Sequence, residues 1–474
     1  MHTEKDGYDA VVIGAGPNGL AAAITLAQAG RSVAVYEAEA TLGGGARSAQ
    51  LTLPGYTHDI CSAVYPLAIG SPFFRSLPLA QHGLEWLHSP APLAHPFDDG
   101  SAVIVERSIA ATATQLGADG AAYCRLMNYF SQHWQGLDVD LLGPPRVPRQ
   151  PFAVARFGFY GLRSAVRFSH GIFTMARARS VFAGFAAHSM LPLEALGSAA
   201  FGLLLATTAH SVGWPIARGG AQKLTEALVS YAGSLGVEFV LGRRITAFSE
   251  LPNARTVLCD ITPRQLLALA GKDLPERFKR QLRRYRYGMG AFKVDWALSA
   301  PVPWRAAGCA RAATVHVGAS FEEIVASERA AARGDWNQRP FVLLAQPSLF
   351  DDSRAPAGRH TLWGYCHVPH GSNQNRLDQI ENQIERFAPG FRDIVLARNI
   401  RSPADLELHN GNLIGGDING GAADLGQLFL RPSWRLYGTP KKGLYLCSAS
   451  TPPGGGVHGM CGYFAARQAL RETA

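Results

Sequence analysis

A chain of 474 residues, 47% hydrophobic and only 17% charged, carries ample apolar material for two large lobes, which excludes a disordered or fibrous protein. Its seven cysteines form no C-x-x-C pair and no Cys/His ligand spacing, so neither a disulfide framework nor a metal site is expected, and the pattern suits a reducing cytosol. The formal net charge of +9 comes with no nucleic-acid motif, which leaves an anionic cofactor or a membrane surface as the partner of the basic excess.

The first strand is expected from near Tyr8, with too little sequence ahead of it for a cleavable signal peptide. DAVVI (9–13) is a buried-strand run, and GAGPNG (14–19) follows it directly. A helix-like stretch then places Leu20, Ala23, Ile24 and Ala27 on one face, Gly30 stops it, and a second strand ends at Glu37. This is a βαβ dinucleotide-binding opening. Gly14 permits the sharp turn, Gly16 lets backbone approach a pyrophosphate, and Gly19 lets the helix pack on the strand. The helix N-terminus offers N–H groups and a positive dipole end to phosphate oxygens. Glu37 suits two ribose hydroxyls and repels a 2′-phosphate.

LGGGARS (42–48) comes next. A second glycine turn there brings backbone to the same pyrophosphate from its other side, with Arg47 as a charge-assisted donor. A nicotinamide dehydrogenase needs no such second clamp, so the pair of turns favours FAD.

Between Leu141 and Leu193 there are seven arginines and no acidic residue, and aromatic side chains interleave with the arginines over 149–185. Two readings stand: substrate-lobe helices with a solvated basic face, or an amphipathic cap on a membrane surface through which an apolar substrate enters. The uncharged stretch 195–217 is long enough to span a bilayer, but its His210, Trp214-Pro215 and several Ser, Thr and Gly point to a buried segment. Residues 218–248 read as a glycine turn, an amphipathic helix and a strand returning to the nucleotide domain. In FKVDWAL (292–298), strand alternation puts Lys293, Asp295 and Ala297 on one face and Phe292, Val294 and Trp296 on the other.

Near the end, Gly454, Gly456 and Gly459 repeat the G-x-G-x-x-G spacing after the hydrophobic run GLYLCSA (443–449). A second nucleotide fold would need a βαβ unit of about 30 residues, and only fifteen follow Gly459. Without that fold or a redox cysteine pair, a pyridine nucleotide-disulfide reductase is excluded. The expected electron acceptor is oxygen, a quinone or a protein.

Taken in order, VVIGAGPNGLAAA (11–23), EAEATLGGGARS (37–48), GWPIARGGAQKLTEAL (213–228), GAFKVDWAL (290–298), GGDINGG (415–421) and GLYLCSASTPPGGGVHGMCG (443–462) resemble the phytoene desaturase-like flavoproteins of the flavin amine oxidase superfamily. The chain is most similar to a bacterial branch related to the pyridine nucleotide-disulfide oxidoreductase domain 2 proteins. The resemblance implies an α/β fold. A Rossmann-type FAD-binding domain would be assembled from residues 1–75, 213–262 and 410–474, and an α+β substrate lobe with a helical cap from 76–212 and 263–409. It implies FAD held by Gly14, Gly16, Pro17, Asn18, Gly19, Glu37, Ala38, Gly44, Gly45, Ala46, Arg47, Ile245, Gly456, Val457, His458 and Met460. Ile245 would read the adenine through its backbone, and the Val457–Met460 turn would face the flavin's pyrimidine edge. Gly45 stands where many relatives carry Arg, a part that Arg47 takes; SAST (448–451) stands where many carry GAGT.

The activity so implied is a desaturase-type dehydrogenase moving a hydride between an apolar small molecule and flavin N5. A flavin amine or amino acid oxidase and a non-catalytic flavoprotein-like scaffold are the alternatives. His458 in the flavin-edge turn and Lys293, which the resemblance sets near N5, are the candidate catalytic residues. The plain alternatives are a packed turn histidine and a solvated lysine. His58-Asp59 and the two histidines of CHVPHG (366–371) are expected to support turns and loops. The expected location is cytoplasmic, with peripheral membrane contact left open.

Overall fold

In the computed structural model, which describes residues 7–473, twelve strands build two large sheets. In chain order they are β1 Gly7–Ile13, β2 Val33–Tyr36, β3 Ala91–Pro96, β4 Ala102–Val105, β5 Glu238–Val240, β6 Asn253–Cys259, β7 Gly290–Leu298, β8 Ala312–Val317, β9 Val342–Ala345, β10 His360–Val368, β11 Val395–Arg401 and β12 Leu444–Leu446. The helices that matter here are α1 Pro17–Gln28, α2 Pro151–Gly161, α3 Ala176–Ala187, α4 Ser198–Ser211, α5 Ala221–Ser234, α6 Leu425–Leu428 and α7 Met460–Glu472.

The first sheet has the order β12-β6-β1-β2-β5, and every neighbouring pair is parallel. Parallel strands are covered on both faces, which is why Val11, Val12, Val33 and Val35 form near-continuous apolar runs and are fully buried. Helices α1, α5 and α7 pack against this sheet through Leu20, Ile24, Leu224, Leu228 and Ala465. The protein is therefore α/β, with a Rossmann-type parallel sheet at its centre.

The second sheet has the order β11-β7-β10-β9-β8-β3-β4, antiparallel except for the parallel β3–β8 pair. All nine residues of the inner strand β7 are buried. Phe292, Val294 and Trp296 join one core with Ile380 and Ile384. The opposite face of the sheet meets a second core, in which Ala291, Leu343 and Tyr365 join Phe182 and Phe185 of α3 and Leu203 and Leu205 of α4. The long uncharged stretch thus ends up mainly as α4, which packs against α2 and α3 and is buried in this second core. Among the described residues no helix is long and apolar enough to cross a membrane.

One element differs from its sequence expectation. Strand β5 ends at Val240, and Gly242, at φ 66°, turns the chain out of the sheet. The turn is held by Gly242 N–H donating to Glu39 O (3.0 Å) and Arg243 N–H donating to Glu37 O (2.9 Å). Ile245 consequently lies beyond the sheet in irregular backbone, not on a returning strand. The competing force is a long-range one: the turn's amides satisfy the carbonyl oxygens of Glu37 and Glu39, just past the end of β2, that a longer strand would leave to water.

The last glycine turn leads from β12 into one helix, α7, through Gly459 at φ 69°. It sits directly on the first turn. A Cβ on Gly462 would stand 1.8 Å from Asn18 O, and one on Gly459 would stand 3.1 Å from the Ala21 Cβ. Only glycine at 462 lets α7 approach α1 so closely.

Candidate functional site

A cavity of about 840 Å³ opens at the carboxyl ends of β1, β2 and β6, where the strand order of an open parallel sheet places a ligand crevice. Of the residues expected to hold a dinucleotide, Gly14, Gly16, Pro17, Asn18, Glu37, Ala38, Gly44, Gly45, Arg47, Ile245, Gly456, Val457 and His458 line it. Gly19, Ala46 and Met460 do not; they stand behind the wall. A Cβ on Gly19 would stand 2.0 Å from Gly14 O, Ala46 is buried with its carbonyl accepting from Thr225 Oγ1 (2.7 Å), and Met460 N–H donates to His458 Nδ1 (3.0 Å).

The two N-terminal glycine turns face each other. Gly43 N–H donates to Ala15 O (3.0 Å), and a Cβ on Gly44 would come within 3.0 Å of Gly16 Cα. Glu37 is pinned at the end of β2 by accepting from Ala15 N–H (2.8 Å) through one oxygen and from Glu39 N–H (3.0 Å) through the other. Arg47 is buried; its Nε donates to Gly44 O (2.9 Å), and its Nη2 lies 2.8 Å from His409 Nε2. A second buried cavity-lining arginine, Arg431, donates to Tyr285 Oη (2.9 Å) and Gly420 O (3.2 Å) and leaves its Nε without a partner. Neither arginine has a carboxylate within 4.0 Å among the described residues. Close-packed glycine turns, a fixed carboxylate and two buried cations without a direct ion-pair partner fit an anionic dinucleotide.

Asp260, at the end of β6, also lines this part of the cavity. Its Oδ2 accepts from Gly19 N–H (2.9 Å) and lies 2.8 Å from where a Cβ on Gly16 would stand. Burial raises its pKa to about 7, against the Gly19 hydrogen bond and with help from the charge of Glu37. Sequence reasoning missed it. The available signal was an acid closing a third buried strand, VLCD (257–260), at the edge of the crevice.

Farther in, the cavity becomes a chamber walled by Phe157, Leu204, Leu205, Trp214, Leu343, Leu344, Trp363 and Tyr365. Lys293 reaches its wall. It is buried, not solvated, because β7 is covered on both faces. Its ammonium is ion-paired with the buried carboxylate of Asp295 and lies 5.8 Å from the Trp363 ring centroid. Burial lowers the Lys293 pKa while Asp295 opposes the shift; burial likewise raises Asp295 to about 6. Behind the pair, His58 Nδ1 lies 3.7 Å from the other Asp295 oxygen, and His58 Nε2 lies 2.8 Å from Thr52 Oγ1. Burial, together with the charges of Lys293 and Arg354, holds His58 neutral with a pKa of about 3. Asp59 pairs with buried Arg354 (2.5 Å).

His458 is placed differently from Lys293. Its Nδ1 accepts from Met460 N–H, its Nε2 lies 3.2 Å from Gly454 O, and its own carbonyl accepts from Ser71 Oγ (2.6 Å). Burial lowers its pKa to about 4. With both ring nitrogens committed to backbone, the imidazole shapes the last glycine turn and has no free position for a substrate proton. The histidines of CHVPHG are likewise engaged: His367 with Glu328 (2.6 Å) and His370 Nδ1 with Gly288 O (2.9 Å).

Residues 12–75 match the family described as NAD(P)-binding Rossmann-like domain. Over nearly its whole length the chain is similar to pyridine nucleotide-disulfide oxidoreductase domain-containing protein 2 of Mus musculus, 27% identical over 561 residues that cover 99% of this chain and 94% of the mouse protein. The fold is similar to that of an oxidoreductase from Methanosarcina mazei, with a TM-score of 0.67 at 15% identity over 98% of this chain and 99% of that one. It is also similar to a putrescine oxidase redesigned in its cofactor binding, with a TM-score of 0.63 at 16% identity over 98% of each chain.

Proposed function

We propose that the protein is an FAD-dependent oxidoreductase that moves a hydride between a mostly apolar small molecule and the flavin, in the manner of a desaturase-type dehydrogenase. The observation that carries this reading is the continuity of one cavity from the facing glycine turns to a chamber of aromatic and aliphatic side chains with a single lysine on its wall. FAD, when bound, supplies the two-electron chemistry. The glycine turns, Glu37, Arg47 and Arg431 are the groups that would hold it. FAD is favoured over NAD(P) because a second turn opposes the first, and because the chain's last glycine turn packs on α1 without opening a second βαβ unit.

The protein's own part is positional. The chamber walls exclude water and orient an apolar substrate, while the Lys293 ammonium, held by Asp295, keeps a proton at Nζ within the chamber. The similarity to putrescine oxidase raises an amine substrate as the alternative. The carboxylates lining the cavity, however, are Glu37, Glu39 and Asp260 at the dinucleotide end and Asp140 beside the start of α2, which leaves none in the chamber to pair with an ammonium. Anaerobic mixing with apolar alkanes, polyenes and amines tests the reading. A yellow protein bleached by an apolar compound and not by amines supports it, and a colourless protein that takes up no FAD overturns it.

A further inference from the structure

Twelve large hydrophobic side chains are exposed among the described residues, and nine of them fall in two segments, 147–196 and 429–434: Val147, Phe152, Phe159, Leu162, Met175 and Leu196, then Phe429, Leu430 and Trp434. The stretches meet. Gly197 N–H donates to Leu162 O (3.1 Å), and a Cβ on Gly197 would stand 3.1 Å from the side chain of Leu425 in α6, which leads into Phe429. Leu162 and Phe429 also line the cavity. The exposed apolar surface therefore reaches the cavity's edge at Leu162 and Phe429, where an isolated exposed side chain would need no explanation.

Helix α2 separates this surface from the chamber and is apolar on two faces. Val154, Phe157, Gly158 and Gly161 line the cavity, while Phe152, 86% exposed, and Phe159, 61% exposed, point to the outside. A helix with apolar residues on both faces needs a second apolar environment. The charge along this segment is predominantly positive, with Asp140 just ahead of it engaged at the start of α2, where it accepts from Gln150 N–H (3.0 Å) and lies 4.0 Å from Arg146. Residues 141–193 contain seven arginines and no acid. The Arg163 guanidinium lies 4.3 Å over the Phe159 ring and that of Arg435 lies 5.1 Å over Trp434, and neither has a carboxylate within 4.0 Å among the described residues.

We infer that this face docks on an anionic lipid bilayer, with α2 lying in the headgroup region and the cavity rim opening toward the acyl chains, so that an apolar ligand passes between bilayer and chamber without crossing water. Exposed aromatics alternating with arginines combine apolar insertion with attraction to anionic headgroups. A second copy of the chain is a poor occupant, because a two-fold contact would set the arginine face against itself.

The test is flotation of the full chain, as purified, with vesicles of phosphatidylcholine plus phosphatidylserine and with vesicles of phosphatidylcholine alone. Binding to the anionic vesicles, weakened by salt, is expected. Phe152→Ser with Phe159→Ser, and separately Arg163→Glu with Arg167→Glu, should each lower it by about tenfold or more, whereas Leu396→Ser, an exposed leucine on the edge strand β11, should leave it unchanged. The arginine pair lies on the surface and keeps the test decisive if the phenylalanine pair does not fold. Three results would overturn the inference: no binding to anionic vesicles at low salt, equal binding by parent and both double variants, or a concentration-dependent dimer that the same substitutions dissociate.

Discussion

The carboxylate of Asp260 accepts a hydrogen bond from the Gly19 amide at the start of α1, across 2.9 Å and 241 residues of sequence. That places a titratable acid against the turn where a cofactor's diphosphate would lie. Burial puts its pKa at about 7, above its ordinary value of 3.8. Protonation is thus favoured in the folded state, and the contribution of Asp260 to stability is greatest below pH 3.8 and is lost as the pH rises through about 7. Added negative charge from a diphosphate moves the same equilibrium further toward the protonated form. FAD affinity should therefore fall as the pH rises through about 7, read by equilibrium dialysis or flavin fluorescence. Asp260→Asn, a neutral isostere that still accepts from Gly19, should flatten this dependence and raise the melting temperature above that of the parent at about pH 8. An unchanged pH profile in the variant would refute the assignment.

The contact of the two remote glycine turns gives a second test. Gly462→Ala would drive a methyl group into Asn18 O, 1.8 Å away, and force α7 off α1. Overpacking of this kind costs about 1–3 kcal/mol, which should appear as a lower melting temperature. Because Asn18 and the last glycine turn line the same cavity, FAD content should drop in parallel. Gly30→Ala is the matched control. It has open space around it and lies at the far end of α1, so any loss there should come from its φ of 75° alone and leave FAD content unaffected.

Lys293 is the residue on which the chemistry is expected to turn. Lys293→Met should lower the anaerobic rate of flavin reduction by about 10²-fold or more, the range for a lost proton-holding group, with FAD content unchanged. Asp295→Asn removes the main charge that opposes the burial of the ammonium, so the Lys293 pKa should fall further and the acid limb of the rate profile, expected near the Asp295 pKa of about 6, should disappear. A profile that keeps this limb in Asp295→Asn would assign it to another group.

The parts of this molecule that were legible in its sequence are the local ones. The βαβ opening is written in a buried run, three glycines and an acid within 37 residues, and α1 and β2 form where that pattern puts them. The final helix and the strand before it were legible for the same reason. What sequence could not show is set by long-range packing. Alternation correctly separated Lys293 and Asp295 from Phe292 and Trp296, but not that both faces of β7 would be covered, which turns a plausible solvated lysine into a buried ion pair. Ile245 was carried past the end of its strand by hydrogen bonds to the backbone of Glu37 and Glu39, some 200 residues away. Asp260 and Arg431 belong to no spacing motif. Each acquires its place only when the sheet brings β1 beside β6 or the last loops close over the cavity.

The histidines set the acid limit of the fold. Six of them, His58, His95, His188, His210, His409 and His458, are held neutral chiefly by burial, with pKa values of about 3 to 4 against an ordinary 6.5. Each lowered value means that the unfolded chain binds a proton the folded chain refuses, so stability is full above pH 6.5 and falls as the pH drops toward 4. Asp260, Asp295 and Asp417 act in the opposite direction, since their raised values favour the folded state on acidification, but they are three carboxyls against these six histidines and the likewise lowered His316. The melting temperature should therefore fall steeply between pH 6.5 and 4. His210→Gln, which replaces the imidazole beside Tyr123 Oη (2.7 Å) with an uncharged hydrogen-bonding group, should make that fall measurably shallower while leaving the neutral-pH melting temperature close to that of the parent. A parent protein whose stability rises on acidification would show that the carboxylates, not the histidines, control it.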